Sequence, residues 1–277
     1  MNAGLQQFAE LVSTEQFNLA QASLLVAQDV YPDLEVSKYL ALLDDIAAAI
    51  RRRVACDAFA EQKIIALNYY LFNEMHFVGN VDNYYDPRNS YLNDVLERRT
   101  GIPLTLSIVY LEVGKRLGLN LKGVSFPGHF LVKLSVKRGE LVLDPFIGGE
   151  AQSESDLRER LAQVLTPPEA EKVAIDRFLE PATSRQVIAR MLRNLKNIYL
   201  NGQKLEQALA VMQRMLLVVP ESAEELRDRG LLYQKLECFR PALSDLQSYM
   251  RRRPEAPDSG DIHDKLVELG KACSRLN

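Results

Sequence analysis

The spacing of apolar residues changes character three times along the chain. Over residues 5–72 it is helical: after Pro32-Asp33-Leu34, the positions Tyr39, Leu42, Leu43, Ile46 and Ile50 recur on one face, and the stretch reads as successive helices forming an N-terminal layer. Residues 79–91 interrupt the pattern with Gly, Asn, Asp, Pro and Tyr. This is a loop with turn chemistry, and its Tyr84, Tyr85 and Tyr91 are expected to fasten it to the body through ring packing and hydroxyl hydrogen bonds. A helix follows over residues 101–118. From residue 121 the period shortens to that of strands: 121–126 is a short apolar run, 129–136 alternates, and 140–146 returns after a turn containing Arg138-Gly139. Gly148-Gly149 closes this core, 153–165 reads as a helix, and Thr166-Pro167-Pro168 breaks it. A second break, Glu180-Pro181-Ala182-Thr183, precedes the last region.

From Ser184 onward a period of 34 residues emerges: Leu192 recurs as Leu226, Tyr199 as Tyr233, Ala208 as Ala242 and Pro220 as Pro254. That is the period of tetratricopeptide repeats, helix pairs in which a small residue permits close packing and a proline closes the second helix. Gly230 fits the pattern, whereas its counterpart Lys196 does not. Two repeats bury their stacking faces only with help from neighbours, so residues 261–276 are expected to form a capping helix and the preceding domain to cover the other end. The expected domains are 1–180 and 181–277.

The hairpin is constrained by its own pattern. With His129 opposite Asp144, Phe130 falls opposite Leu143, Leu131 opposite Val142, Val132 opposite Leu141 and Lys133 opposite Glu140, so the apolar residues and the one charge pair match. A slip of one residue turns side chains to the wrong faces. A tighter turn, slipped by two, keeps the faces and leaves His129 diagonal to Asp144. An aspartate beside a histidine on neighbouring strands can orient the imidazole and stabilise its charged form, as in nucleophile, base and orienter triads. Such a triad needs a nucleophile.

The residues around that pair carry a resemblance. Leu117-Gly118, Gly128-His129-Phe130 and Leu143-Asp144-Pro145 resemble the transglutaminase-like superfamily, in which a Gly-x-Cys opens a helix ending at Leu-Gly, followed by a strand, a Gly-His-aromatic and a Val/Leu-Asp-Pro. Gly101 fits the glycine of that pattern, but Pro103 occupies the cysteine position. A cysteine at a helix N-terminus has its thiolate favoured by the dipole and by a neighbouring imidazolium; proline offers no such chemistry, although it suits a first helical turn. The set Gly79-Asn80, Tyr84-Tyr85-Asp86-Pro87, Asn89-Ser90-Tyr91-Leu92, Arg98-Arg99-Thr100-Gly101-Ile102-Pro103 and Phe126-Pro127-Gly128-His129-Phe130 is similar to one branch, the bacterial SirB family. In that branch a transglutaminase-like domain precedes tetratricopeptide repeats. The resemblance implies an α+β fold: a papain/transglutaminase-like core with the helical N-terminal layer, followed by an all-α repeat region. It does not imply transglutaminase activity.

The candidate site residues are therefore the remnant pair His129 and Asp144, the nucleophile position Pro103, and a possible pocket formed by Tyr84, Tyr85, Asn89, Ser90, Ser107 and Phe130. Ser107 lies one helical turn beyond Pro103 and Thr105 two residues beyond it. Helix periodicity turns Thr105 away and moves Ser107 deeper, so helix packing explains both better than a catalytic hydroxyl does. Cys56 reads as a small buried hydrophobe. His76 and His263 lack companions at metal-ligand spacing, and no pattern requires a metal or a cofactor. The His129 and Asp144 pair is either a buried hydrogen-bonded pair kept for structure or the remnant of a ligand site.

Composition narrows the function classes. A hydrophobic content of 47% is ample for a buried core and excludes disorder. The net charge of −3 argues against a broad nucleic-acid footprint. Arg51-Arg52-Arg53 and Arg251-Arg252-Arg253 read as solvated helix ends complementing the dipole, with an anion or acidic-partner site as the alternative. The first ten residues have no basic start or long apolar segment, no stretch is long enough to span a membrane, and the three cysteines are scattered; a reducing cytoplasm is the expected home. The favoured reading is an interaction protein that presents its repeats to a peptide or protein partner, with no nucleic acid and no membrane involved. The competing reading is a hydrolase or acyl-transfer enzyme in which Ser107, or a cysteine from elsewhere, works with His129 as base and Asp144 as orienter.

Overall fold

The computed structural model describes residues 3–136 and 139–275, and the chain divides into two compact units, Met1–Met191 and Leu192–Asn277. In the first unit the N-terminal helical layer is present as α1 (Ala3–Val12), α2 (Leu19–Ala27), α3 (Val36–Arg51) and α4 (Ala60–Asn68). The last runs on into a π-helical turn, Tyr69–Glu74. Tyr39, Leu43, Ile46 and Ile50 form the buried stripe of α3, as their spacing predicts, whereas Leu42, expected on the same stripe, stays partly exposed at its edge. The strand β1 (Val78–Gly79) pairs in parallel with β2 (Thr100–Gly101), and α5 (Leu92–Arg98) lies between them in sequence. The helix α6 (Pro103–Arg116) begins directly after β2 and is buried along almost its whole length.

The sheet is antiparallel, in the order β3 (Leu121–Val124), β4 (Leu131–Val136), β5 (Gly139–Asp144), β6 (Glu150–Ala151). The helix α6 packs against β3 and β4. Val124, Leu131 and Val142 meet Leu157 and Leu161 of α7 (Glu154–Leu161), along with Phe126 and Ile175. The two sides of the hairpin therefore bury against different elements, which is why its register tolerates only even slips.

The register is one of the two anticipated, and not the first. Val132 pairs with Leu143, Lys133 with Val142, Leu134 with Leu141, Ser135 with Glu140 and Val136 with Gly139. This is the tighter turn slipped by two: every side chain keeps its face, and the expected facing pairs become diagonals. Lys133 still reaches Glu140, at 3.0 Å, because long side chains span a diagonal on the same face. Of the turn itself, Arg138 lies outside the described residues. A further correction concerns the helix expected over 153–165, which stops at Leu161, and Thr166-Pro167-Pro168, which opens a short helix, α8 (Pro167–Lys172), instead of serving as a break. Thr166 donates its N–H and its hydroxyl to Glu169, at 3.0 and 2.6 Å, and proline in the first turn forfeits no helical hydrogen bond.

The helix α9 (Ser184–Asn201) crosses the boundary between the units, and α10 (Leu205–Val218), α11 (Ala223–Lys235), α12 (Phe239–Arg252) and α13 (Ser259–Arg275) complete the second. Ala208 and Ala242 are fully buried, and Ala242 sits in a cluster with Leu246, Tyr249, Ile262 and Leu269. Leu276 of the expected capping segment lies outside the described residues. A Cβ at Gly230 would lie 2.8 Å from the Leu246 side chain, so glycine lets α11 approach α12. Ala242→Leu is expected to force the pair apart at a cost of about 1–3 kcal/mol through overpacking. Urea unfolding followed by circular dichroism checks this, and an unchanged midpoint would contradict the packing.

The arginine runs resolve as helix-end contacts. Arg51 donates to the Arg116 carbonyl, and Arg53 to the Ala49 carbonyl and to Glu74. In the repeats Arg251 reaches Ser248, Arg252 the Pro220 carbonyl and Arg253 Glu224.

Candidate functional site

Asp144, the last residue of β5, shares a face with Val142, the face turned toward α7, and it is completely buried. A buried carboxylate must find donors to offset its lost hydration, and this one has three. His129 Nε2 lies 2.9 Å from Oδ2, Arg160 of α7 donates to the same oxygen at 2.6 Å, and the Phe146 N–H donates to Oδ1 at 3.0 Å. His129 sits in the turn before β4, with its side chain 11% exposed. Its ring meets that of Phe146 edge to face, centroids 5.9 Å apart. Phe146 in turn lies over Gly79, where a Cβ would come within 2.5 Å of the ring. The 3-10 turn carrying Phe146, Pro145–Ile147, packs against both β1 and α6.

At the head of α6, Pro103 occupies the first turn and is buried. Next to it Thr105 accepts the Ile102 N–H at 3.1 Å and donates to the Asn89 carbonyl at 2.6 Å, so its hydroxyl caps the helix and ties down the preceding loop. Asn89 is the hub of that loop. Its amide donates to the carbonyls of Asn83 and Tyr84 and accepts from Asn80 and Arg98. Asp86 caps the 3-10 turn Pro87–Asn89 by accepting the Arg88 N–H, and hydrogen bonding to Arg88 holds its carboxyl below the usual range.

The remaining candidate positions fall in two groups. Ser90, Ser107 and Phe130 are buried, while Tyr84 and Tyr85 are exposed and meet each other edge to face at 5.3 Å. Tyr84 is only 37% exposed, and desolvation of its hydroxyl pushes the pKa up. The Ser107 hydroxyl faces the Phe130 carbonyl at 3.5 Å, the outer limit of a hydrogen bond. Among the described residues no serine, threonine or cysteine donates to the His129 ring, whose hydrogen-bond partner is Asp144. Cys56 is exposed, against the expectation of a buried hydrophobe; it follows the end of α3 in a short connection that has no core to enter. No group of three His, Cys, Asp or Glu among the described residues could hold a metal ion.

Sequence reasoning missed Arg160. Its only signal was a basic residue in a helix of mixed charge, and nothing in the spacing fixed which α7 side chain faces β5. The consequence is chemical: the Asp144 carboxylate is shared between an imidazole and a permanently charged guanidinium, instead of serving the imidazole alone.

Comparison with known proteins agrees with this architecture. The transglutaminase-like superfamily model matches residues 37–193, and a tetratricopeptide-repeat model matches residues 195–266. A UPF0162 protein of Xylella fastidiosa (strain Temecula1) is 42% identical, over 93% of this chain and 92% of its own. Protein SirB1 of Salmonella typhimurium is 33% identical over 74% of each chain, and the UPF0162 protein YchA of Escherichia coli 32% identical over 88% of this chain and 86% of its own. No helix among the described residues is long and apolar enough to cross a membrane. With its α+β core, its repeats and these relatives, the chain belongs to the transglutaminase-like superfamily, in the SirB1/UPF0162 family.

Proposed function

We propose that this protein is a non-catalytic member of its superfamily that binds a protein or peptide partner in the cytoplasm through its repeats, with a regulatory rather than a chemical role. The observation that carries the reading is Pro103 at the head of α6, buried and without a nucleophilic atom, while His129 and Asp144 keep their hydrogen bond. Acyl transfer needs a nucleophile within hydrogen-bond reach of its base. Thr105 is committed to the helix cap, and Ser107 is turned to the Phe130 carbonyl. Tetratricopeptide repeats present extended surfaces suited to peptides, which supports assigning recognition to the second unit.

The test is capture of partners by the full chain and by two variants. His129→Ala is expected to retain the same partner at the same affinity, and Ala242→Leu to lose it. Partner binding that depends on His129, or release of a cleaved or acylated partner by the native chain but not by His129→Ala, would overturn the reading in favour of a hydrolase or acyl-transfer enzyme.

A further inference from the structure

Strand β3 forms one margin of the antiparallel sheet, with β4 along its inner side. Its outer side is only half covered. Val124 bridges Pro181, and the Ala182 N–H donates to the Gly123 carbonyl at 2.8 Å. The cover ends there, because Thr183 and Gln186 exchange capping hydrogen bonds that turn the chain into α9. Main-chain groups alternate sides along a strand, so the outward Gly123 carbonyl places the N–H and C=O of Leu121 on the same outer side. Among the described residues no hydrogen bond reaches either group. An edge left in this state is a template for a further strand.

A cavity of about 730 Å³ adjoins this edge, between residues 15–19, the end of α6 and the start of α9. Leu119 and Val187, both buried, line it together with Phe17 and Leu111. The Leu121 side chain lies against Gly114 of α6, where a Cβ would clash with it, so an added strand finds its apolar surroundings on the Leu121 face. Lys122 takes the opposite face and is exposed. Its partner across the ladder is Lys133, whose ammonium is already satisfied by Glu140 at 3.0 Å. Neither Lys122 nor Lys115, the two cations lining the cavity, is paired among the described residues; of the lining acids, Glu112 is bound to Arg116 and Glu15 stands alone. A lysine beside an open edge discourages indiscriminate pairing and favours a strand that brings a carboxylate to it.

We propose that the outer edge of β3 docks an extended acidic peptide, antiparallel to the strand, whose central residue exchanges two main-chain hydrogen bonds with Leu121 and whose flanking carboxylate meets Lys122. The surface belongs to the first unit, and its assignment is independent of recognition by the repeats. The test titrates the full-length protein, at constant ionic strength, with acetyl-Glu-Val-Glu-amide, with the same peptide N-methylated at its valine, and with acetyl-Gln-Val-Gln-amide. The readout is hydrogen exchange of the Leu121 amide, followed by nuclear magnetic resonance. Exchange is expected to slow saturably with the acidic peptide and to be unaffected by the N-methylated one, which lacks the central donor. The glutamine peptide is expected to bind about threefold more weakly, the scale of an exposed ion pair. Lys122→Gln, at an exposed position, is expected to abolish that preference for the acidic peptide. No slowing at Leu121, equal slowing by the N-methylated peptide, or an undiminished preference in a folded Lys122→Gln protein would overturn the assignment. Slowing that grows with protein concentration in the absence of peptide would give the edge to a second copy of the chain and overturn it equally.

Discussion

Lys196→Ala will destabilise the repeat unit by about 3–5 kcal/mol, the range found when one partner of a buried ion pair is removed. Lys196 takes the place that Gly230 holds in the next repeat, and the sequence alone offered no reason for a lysine there. Its side chain is 8% exposed, and its ammonium lies 2.7 Å from Glu225 and 3.1 Å from Asp228, both on α11. Glu225 is buried as well, with its side chain 7% exposed. Truncation would leave that carboxylate desolvated and without its cation, whereas Lys196→Met with Glu225→Leu removes both charges and is expected to recover most of the loss. Urea unfolding of the native chain, Lys196→Ala and the double variant measures the loss and its recovery. A Lys196→Ala cost within the roughly 0.5 kcal/mol typical of surface changes would show that the pair contributes nothing.

At the candidate site, Asp144→Ala is expected to cost about 3 kcal/mol, the low end of the same range, because Arg160 is partly exposed and can turn to water. The substitution removes three acceptor contacts at once and orphans the Phe146 N–H. Arg160→Ala should cost less by itself, since the imidazole and the Phe146 N–H still serve the carboxylate. The double variant should fall short of the sum of the singles by at least about 1 kcal/mol, as contacting residues do. Strict additivity would mean that Arg160 and Asp144 do not act as a unit, and the sharing of the carboxylate would then lose its basis.

Much of this was legible in the sequence because local pattern and tertiary packing agree. The stripe on α3 and the repeat period each report a face that must be buried, and burial is what they found, whereas β4, read as alternating, buries both faces over its first residues. The hairpin register was open by two residues, because an even slip preserves the faces and only the turn decides between the alternatives. The pairing of β1 with β2 escaped, since two-residue strands carry no period to read. At the site, the contact between His129 and Asp144 was legible from their spacing. Arg160, and the commitment of Thr105 to Asn89, were not, because contacts between distant segments leave no mark on spacing.

On the proposed reading Pro103 stands where a nucleophile would, beside a histidine and aspartate that remain hydrogen-bonded. Pro103→Cys tests it most directly. The thiol alkylation rate is measured against pH, together with amine incorporation into a glutamine peptide, for this variant and for its combination with His129→Ala. A thiol at a helix N-terminus beside an imidazole gains thiolate character, but acyl transfer also needs an oxyanion site and an open channel. Rapid alkylation that depends on His129, with no amine incorporated, is expected. A thiol whose reactivity is indifferent to His129 would contradict the placement of Pro103, and His129-dependent amine incorporation would contradict the loss of the remaining chemistry.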